Sequence, residues 1–378
     1  MIEEMLTDLA DQGADATDIR YAVMQTLQPY FSHIESLNRY ALDSQILSAF
    51  EFFVRYNHDV EFRQGVSAVL DLYRDAKRKH EAEFWDILLS SFASIVEDEN
   101  KMWSVRQKKT GLDEEDLYEK TVSLFARIGD SLEISTKHLV QELYAIFVLN
   151  EKGTVNYPKI AQLDFGVVIN NLLVKGQFSS ILMTAPSGLK LSDWRNIAYH
   201  HTYSLLGEEI TCVYGKSRDS IRLTISDLEY YAYYVIRSSN ILNIARCIFV
   251  YDCLDEIPRG YPLGQASFRF SIRRNQFEIE LLSQQFAIVN VCEGSNNIEI
   301  DIKDLLLYSD LRKRLIHCSQ LLINTWSVWQ KEQVCINYVD RNGKYVCKFS
   351  TTGDVCKKIY EGSEPISYLA SKVQKEQL

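Results

Sequence analysis

The sequence is poor in the residues that interrupt helices. Six prolines and 16 glycines are few for a chain of 378 residues. Proline removes a helical hydrogen bond and glycine is entropically unfavourable in a helix, so their scarcity permits long helices. Apolar residues make up 46% of the chain, which is enough to build proper cores. A chain of this length is expected to contain two or three domains.

Long apolar runs and a secretion signal are lacking too. No stretch reaches the roughly 18 uncharged apolar residues that a membrane-spanning helix needs. Residues 1–8 are acidic and lack the apolar centre of a signal peptide. We therefore expect a cytoplasmic protein that does not associate with a membrane.

The eight cysteines lack a zinc-binding pattern. No two of them have C-x-x-C spacing, and no histidine pair at the spacing of a zinc finger accompanies them. A disulfide framework needs an oxidising compartment and usually a small scaffold. We expect reduced, mostly buried thiols, with no bound metal and no cofactor.

A basic tail or a run of lysines is also missing. The formal net charge is −10, whereas a protein whose main task is to hold nucleic acid usually carries a basic face. This charge argues against a stable, non-specific RNA binder. It is compatible with a nuclease that touches only a few nucleotides.

Hydrophobic periodicity divides the chain into three segments. Residues 1–110 and 111–255 largely follow the 3.6-residue period of helices. Beyond Pro258 and Pro262 the pattern alternates, as it does in strands. The expected fold class is mainly α, with a helical N-terminal region over 1–110, a helical bundle over 111–255 and a smaller α+β domain of unknown role over 258–378.

Local patterns predict individual elements within these segments. In the second segment we expect a helix from Pro158 to about 175, a hairpin with arms at 209–213 and 220–224, and a long helix capped by Ser226. In the third we expect strands at 267–273, 276–281 and 286–291, a turn at Arg274 and Asn275, a helix over 303–329, a hairpin with arms at 334–339 and 344–349, and a closing amphipathic helix. The tip of that last hairpin, residues 341–343, predicts a type I′ turn.

The segment from Ser192 to His201 carries candidate chemistry. Ser192 is the expected N-cap of a helix, and a projection at about 100° per residue gives this helix two faces. The apolar face contains Trp194, Ile197, Ala198, Leu205 and His201, which makes His201 a candidate core histidine. The polar face contains Arg195, Asn196, Tyr199 and His200.

The residues of the polar face suit cleavage of RNA without a metal. A base must take the proton of the ribose 2′-OH and an acid must protonate the departing 5′-oxygen, and histidine serves either role near neutral pH. Arginine binds phosphate through a planar, permanently charged fork. The polar face offers one histidine while the reaction needs both an acid and a base, so we expect a homodimer that brings two copies together.

The run from Arg195 to His200, R-N-I-A-Y-H, resembles the R-x4–6-H signature of HEPN proteins, in which Asn commonly follows Arg. The resemblance covers about Leu112 to Cys253 and implies a bundle of about four helices that dimerises through the motif face. It further implies a metal-independent endoribonuclease of a toxin–antitoxin or anti-phage defence system, with RNA as substrate and an antitoxin or defence protein as a further partner. By this resemblance Arg195 and His200 are catalytic, Asn196 supports them and Tyr199 contacts the substrate. Tyr199 is bulkier than the small residue often found there.

Some alternatives stay open. The permitted spacing also fits His201, so the signature does not choose between the two histidines, whereas the helical projection favours His200. A non-catalytic HEPN-like module for dimerisation or sensing, or a helical adaptor that binds a protein partner, would agree better with the acidic charge. Residues 215–217, Gly-Lys-Ser, lack the upstream glycine of a phosphate-binding loop and are expected at a hairpin tip.

Overall fold

The structure, a computed structural model, describes residues 2–107, 116–174, 178–257, 267–306 and 310–377. The chain is mainly helical and includes a smaller α+β part, as the sequence predicts. It forms two compact units. The sheet unit comprises Met1–Pro29, Ile34–Glu51 and Arg269–Leu378, and the helical unit comprises Tyr30–His33 and Phe52–Phe268.

Helices account for most of the first 182 residues. In chain order they are α1 (Ile2–Asp11), α2 (Ala16–Leu27), α3 (Ile34–Tyr40), α4 (Ser44–Arg55), α5 (Val60–Lys79), α6 (Glu81–Gln107), α7 (Leu117–Asp130), a π-helical turn (Ser131–Thr136), α8 (Lys137–Lys152), α9 (Tyr157–Ala161), α10 (Phe165–Val174) and α11 (Ser179–Leu182). The single helix predicted from Pro158 is therefore two helices.

Strands and helices alternate in the remainder. The elements are β1 (Met183–Thr184), β2 (Leu189–Lys190), α12 (Leu191–His200), β3 (Tyr203–Leu206), β4 (Glu209–Tyr214), β5 (Asp219–Leu223), α13 (Ile225–Asp252), α14 (Phe270–Ser283), β6 (Phe286–Glu293), β7 (Asn297–Asp304), α15 (Leu311–Trp329), β8 (Gln333–Val339), β9 (Tyr345–Thr352), α16 (Gly353–Tyr360), α17 (Ser367–Ala370) and β10 (Gln374–Gln377).

The sheet unit is built on five strands in the order β10-β9-β8-β7-β6. Only β7 and β8 run parallel in this sheet, and α15 provides the crossover between them. Alternate residues of β7, from Ile298 through Ile300 to Ile302, are fully buried. They join α14 and α15 in one apolar core with Phe277 and Leu322.

The first helix belongs to this sheet unit. Helix α1 packs against α14, and the Asn275 amide donates to the Glu3 carboxylate at 2.8 Å. The apolar side chains Ile2 and Leu6 of α1 are buried. Residues 1–110 therefore do not form one region, because their first part belongs to the sheet unit.

The prediction of strands between residues 267 and 281 is wrong, since α14 covers most of that stretch. Helix α14 packs against α1, α15 and β6, so apolar side chains lie on more than one of its sides. Burial on several sides weakens the helical period and imitates the alternation of a strand. The predicted turn at Arg274 and Asn275 lies inside this helix.

Other predictions in the sheet unit need smaller corrections. Residues 303–304 belong to β7, and α15 begins only at Leu311, where the Asp310 side chain caps it. The β8–β9 hairpin is confirmed, but its tip is not a type I′ turn, because Gly343, with φ 85°, is its one left-handed residue. Helix α16 matches the predicted amphipathic helix, although α17 and β10 follow it.

The helical unit is a bundle of long helices. Helix α13 packs on α5 and α7, while α8 packs on α5 and α6. The rings of Tyr73, Phe84 and Phe249 meet in its core with centroids 5.1–6.0 Å apart. The bundle therefore begins before residue 110, because α5 and α6 supply part of its core.

The hairpin predicted in this unit is confirmed as β4 and β5, with residues 215–217 at its tip and β3 as a third strand. Helix α13 is capped by Thr224 with Asp227, not by the predicted Ser226. All eight cysteines lie in described segments, and five of them are buried. None of the described helices is both long and apolar enough to cross a membrane. The boundary predicted at Pro258 and Pro262 lies outside the described residues.

Candidate functional site

The candidate motif lies on α12. This helix begins at Leu191 with Lys190 as its N-cap, so the prediction of Ser192 as the cap is wrong. The Asp193 carboxylate accepts a hydrogen bond from the Lys190 backbone N–H at 3.1 Å, which closes the first turn. Ser192 is buried inside the helix, where it cannot cap the start.

One face of α12 anchors it to the helical unit. Trp194 and Ile197 are fully buried, and Ala198 is nearly so. The Trp194 indole N–H donates to the Thr184 hydroxyl at 2.8 Å, and the Trp194 ring packs on Tyr231 at 4.9 Å. These contacts fix the rotation of α12 about its axis, so the side chains on its other face have defined directions.

The other face of α12 is polar and accessible, as the projection predicts. Asn196 and His200 are exposed, Tyr199 is 49% exposed, and the Arg195 side chain is 27% exposed. Neither Asn196 nor Arg195 is hydrogen-bonded to His200, and the imidazole of His200 makes no hydrogen bond or ion pair with any described residue. The motif residues thus share a face without forming a closed cluster.

The prediction that His201 is a core histidine is wrong. His201 is exposed and forms the C-cap of α12 in the left-handed conformation, with φ 51° and ψ 40°. A left-handed residue ends the regular 100° progression, so the projection does not apply to His201 or to Leu205, which lies in β3. Both histidines are therefore accessible, so burial does not indicate which of the two is the better catalytic candidate.

Arg195 is held by a carboxylate that the sequence did not single out. The Glu133 Oε2 atom accepts from Nε of Arg195 at 3.0 Å and lies 2.9 Å from its Nη2. The guanidinium also lies over the Tyr199 ring, 5.1 Å from the centroid, and its Nη1 is 3.4 Å from Asn196 Oδ1. These contacts orient the planar guanidinium beside the exposed face of α12.

A second cation shares the same carboxylate. The Lys137 ammonium donates to Glu133 Oε1 at 2.9 Å. Burial opposes ionisation of Glu133, but hydrogen bonds from Lys137 and Arg195 outweigh it and hold the pKa of Glu133 below its ordinary value of 4.5. Two permanent cations and one carboxylate leave this corner with a net positive charge, which suits a phosphate group.

The sequence carried only a weak signal for these two residues. Glu133 and Lys137 have the (i, i+4) spacing of an ordinary helical ion pair, and Arg195 lies 62 residues beyond Glu133 in the chain. No pattern in one sequence shows which surface ion pair will meet a distant arginine. The contact is visible only in the folded unit.

A second cluster of chemically versatile side chains lies at the end of α13. His33, Asp252 and Cys253 hold their potential ligand atoms within 4.8 Å of one another, beside a cavity of about 410 Å³. Sequence spacing missed this cluster because His33 is 219 residues from Asp252.

The surroundings of this cluster fit a structural tie better than a metal centre. The Asp252 carboxylate already accepts the backbone N–H groups of Ser32 and His33. Arg74 lies 3.5 Å from this carboxylate, and the Lys77 ammonium lies 3.6 Å from the Cys253 sulfur. Burial raises the pKa of the Cys253 thiol to about 11, so the thiol is protonated. Two resident cations and a protonated thiol oppose the binding of a further cation.

Comparison with protein-family models, with curated proteins and with solved structures finds no match for this chain.

Proposed function

We propose that the chain is a metal-independent endoribonuclease of the HEPN type that acts as a cytoplasmic homodimer in a defence or toxin system. The observation that carries this proposal is the oriented guanidinium of Arg195 on the exposed face of α12, with Asn196 and His200 beside it. The resemblance of residues 195–200 to the R-x4–6-H signature indicates the reaction class. The positive charges of Arg195 and Lys137, which share the Glu133 carboxylate, support the binding of a phosphate.

The proposed reaction begins when a base takes the proton of a ribose 2′-OH. The 2′-oxygen attacks the adjacent phosphorus, and the bond from phosphorus to the 5′-oxygen breaks as an acid protonates the leaving oxygen. The products are a 2′,3′-cyclic phosphate and a 5′-hydroxyl. Because the nucleophile is the substrate's own hydroxyl, DNA is not cleaved.

Each side chain of the site has a role in this proposal. Arg195 binds the phosphate and stabilises its developing charge, and Lys137 adds a second positive charge nearby. His200 transfers protons, with His201 as the alternative because it too is exposed. A second copy of the chain supplies the other proton-transfer group. Tyr199, half exposed on the same face, contacts a base or the second copy.

A non-catalytic role in dimerisation, sensing or adaptor binding is the competing proposal. Glu133 already engages the guanidinium of Arg195, and the chain carries a net charge of −10. Both observations favour a protein partner over RNA for the α12 face. The two proposals differ in whether the purified protein breaks RNA.

The deciding experiment incubates the purified protein with labelled RNA and EDTA. We expect cleavage with cyclic phosphate ends, slowed about 100-fold or more by Arg195→Ala and by His200→Ala. Arg78→Ala and His58→Ala, at exposed positions outside the elements that pack against α12, are matched controls that should cleave like the unaltered protein.

Four outcomes would contradict the assignment. Cleavage that survives both motif substitutions, or that requires a divalent metal, rules out the mechanism. Loss of cleavage in His201→Ala but not in His200→Ala would transfer the catalytic role to His201. Intact, folded protein with no cleavage of any RNA would favour the protein-binding role.

A further inference from the structure

The carboxylate that holds Arg195 lies on an unusual piece of backbone. Helices α7 and α8 are joined without a break by the π-helical turn Ser131–Thr136, in which the hydrogen bonds span five residues instead of four. Such a turn amounts to one extra residue in an α-helix and is frequently found at functional sites. Glu133 lies inside this turn, and Lys137 follows it directly.

The turn carries an energetic disadvantage that the fold has not removed. The Ser135 hydroxyl is buried and has no hydrogen-bond partner among the described residues. A buried, unpaired hydroxyl destabilises a fold. The Thr136 hydroxyl donates to the Ser131 carbonyl at 2.8 Å and so satisfies one acceptor of the turn. The presence of an unfavourable turn beside a candidate site is explained if the turn places side chains of that site.

The helical phase supplies that explanation. Gly129 lies directly beneath α12, since a Cβ built on it would be 3.4 Å from Ala198 and 3.6 Å from Tyr199. Gly129, Glu133 and Lys137 are spaced four residues apart. In an unbroken α-helix two such steps drift by about 80°, which would turn Lys137 away from the side that Gly129 occupies. The extra residue of the π turn reduces the rotation about the helix axis by about 100°. Lys137 therefore lies within about 20° of the direction of Gly129.

We propose that the π turn at residues 131–136 is a one-residue insertion that aligns Glu133 and Lys137 with Gly129 beneath α12, and thereby makes Glu133 the positioning residue of Arg195. The observed contacts agree with this alignment, because the two oxygens of Glu133 bind Lys137 and Arg195 separately. The part of the inference that concerns catalysis rests on the proposed ribonuclease function.

Deletion of Ser135 tests the proposal. Removing one residue restores an unbroken α-helix and eliminates the unpaired hydroxyl, but it also turns the buried side chains of α8 by about 100° relative to α7, so we expect a folded variant with a lower melting temperature. We also expect kcat for RNA cleavage to fall about 100-fold, since a displacement of 1 Å in a site has effects of that size. Ser135→Ala is the matched control, because it removes the hydroxyl but keeps the turn, and it should retain full kcat.

A second measurement does not depend on RNA cleavage. The coupling free energy between Glu133 and Arg195, obtained from urea unfolding of Glu133→Gln, Arg195→Gln and the double variant, should be present at native length and absent after the deletion. If the native-length protein cleaves no RNA yet the coupling disappears on deletion, the ribonuclease proposal fails while the positioning role of the turn stands.

Two results would overturn the inference. One is a folded deletion variant that keeps both the coupling and the native kcat. The other is that the variant lacking Ser135 does not fold and a second variant, which lacks Ile134 and has the same helical phase, does not fold either. The turn would then be required by the bundle itself and not by Arg195.

Discussion

The Nε atom of Arg246 lies 3.1 Å from both carboxylate oxygens of Glu142 in the core of the helical unit. Glu142 is fully buried and also accepts hydrogen bonds from Tyr73, at 2.7 Å, and from Ser91. One carboxylate thus connects α5, α6, α8 and α13. An ion pair of this kind has little net advantage over apolar packing, but the loss of one partner leaves a buried charge without compensation.

We therefore expect Arg246→Met to lower the free energy of unfolding by about 3–5 kcal/mol. Adding Glu142→Gln should recover most of the loss, because this double variant removes both charges and keeps an acceptor for Tyr73. Urea unfolding measures both changes. A single variant as stable as the unaltered protein would show that the carboxylate is solvated or protonated after the arginine is removed.

The ion pair between Glu133 and Arg195 should persist through the neutral range of pH. The pKa of Glu133 is lowered, so its contribution to stability is fully present above the ordinary value of 4.5 and is lost as the pH falls through the lowered pKa. The difference in unfolding free energy between the unaltered protein and Glu133→Gln should be constant from about pH 5 to 8 and shrink at lower pH. A change in that difference near pH 6.5 would point to a histidine instead.

Glu280 should make the sheet unit less stable as the pH rises. Burial and the nearby charge of Asp43 raise the pKa of Glu280 to about 7, although hydrogen bonds with Ser44 and Asn324 oppose the shift. A raised carboxyl pKa stabilises the fold at low pH, and this contribution is lost as the pH rises through about 7. The loss should be roughly 3 kcal/mol in all.

Native-state amide exchange in α14, corrected for the intrinsic effect of pH, measures this loss. Glu280→Gln should remove the trend, whereas Glu278→Gln on the same helix should leave it unchanged, because Glu278 is paired with Arg274 at a partly exposed position. Equal trends in both variants would assign the pH dependence to another group.

Gly353 should be the least replaceable glycine of the sheet unit. A Cβ at this position would lie 2.2 Å from the Lys331 carbonyl oxygen, and backbone atoms there cannot move aside easily. We expect Gly353→Ala to destabilise the protein by about 3 kcal/mol in thermal unfolding. Gly166→Ala in α10 is the contrasting case, since its Cβ would meet Ser192 at an ordinary 3.7 Å, and we expect a gain of about 0.5 kcal/mol.

The two faces of α12 were predictable because both depend only on the helical period of this one segment. A local period places Trp194 in the core and Arg195 outside it, and no distant contact changes that arrangement. His201 was not predictable in the same way, because any residue other than glycine is uncommon in the left-handed conformation that ends the helix. Glu133 was missed since its contact with Arg195 spans 62 residues and depends on the phase of a π turn.

The same distinction explains the errors in the sheet unit. The β8–β9 hairpin follows from local alternation and a turn, so its arms were predicted correctly. The helical state of residues 270–283 follows from burial among α1, α15 and β6, and α1 comes from the distant start of the chain. The contact between Glu3 and Asn275 spans 272 residues, and nothing in the local sequence predicts it.

The sheet unit is assembled from segments at both ends of the chain, and this has a consequence for folding during synthesis. Residues Phe52–Phe268 are complete before the first strand of the five-stranded sheet is made, so we expect the helical unit to fold first on the ribosome. Helix α1 emerges earlier still, yet α14, against which it packs, is more than 250 residues away. Until α14 appears, Ile2 and Leu6 lack the helix that buries them, so we expect α1 to be a binding segment for chaperones during synthesis.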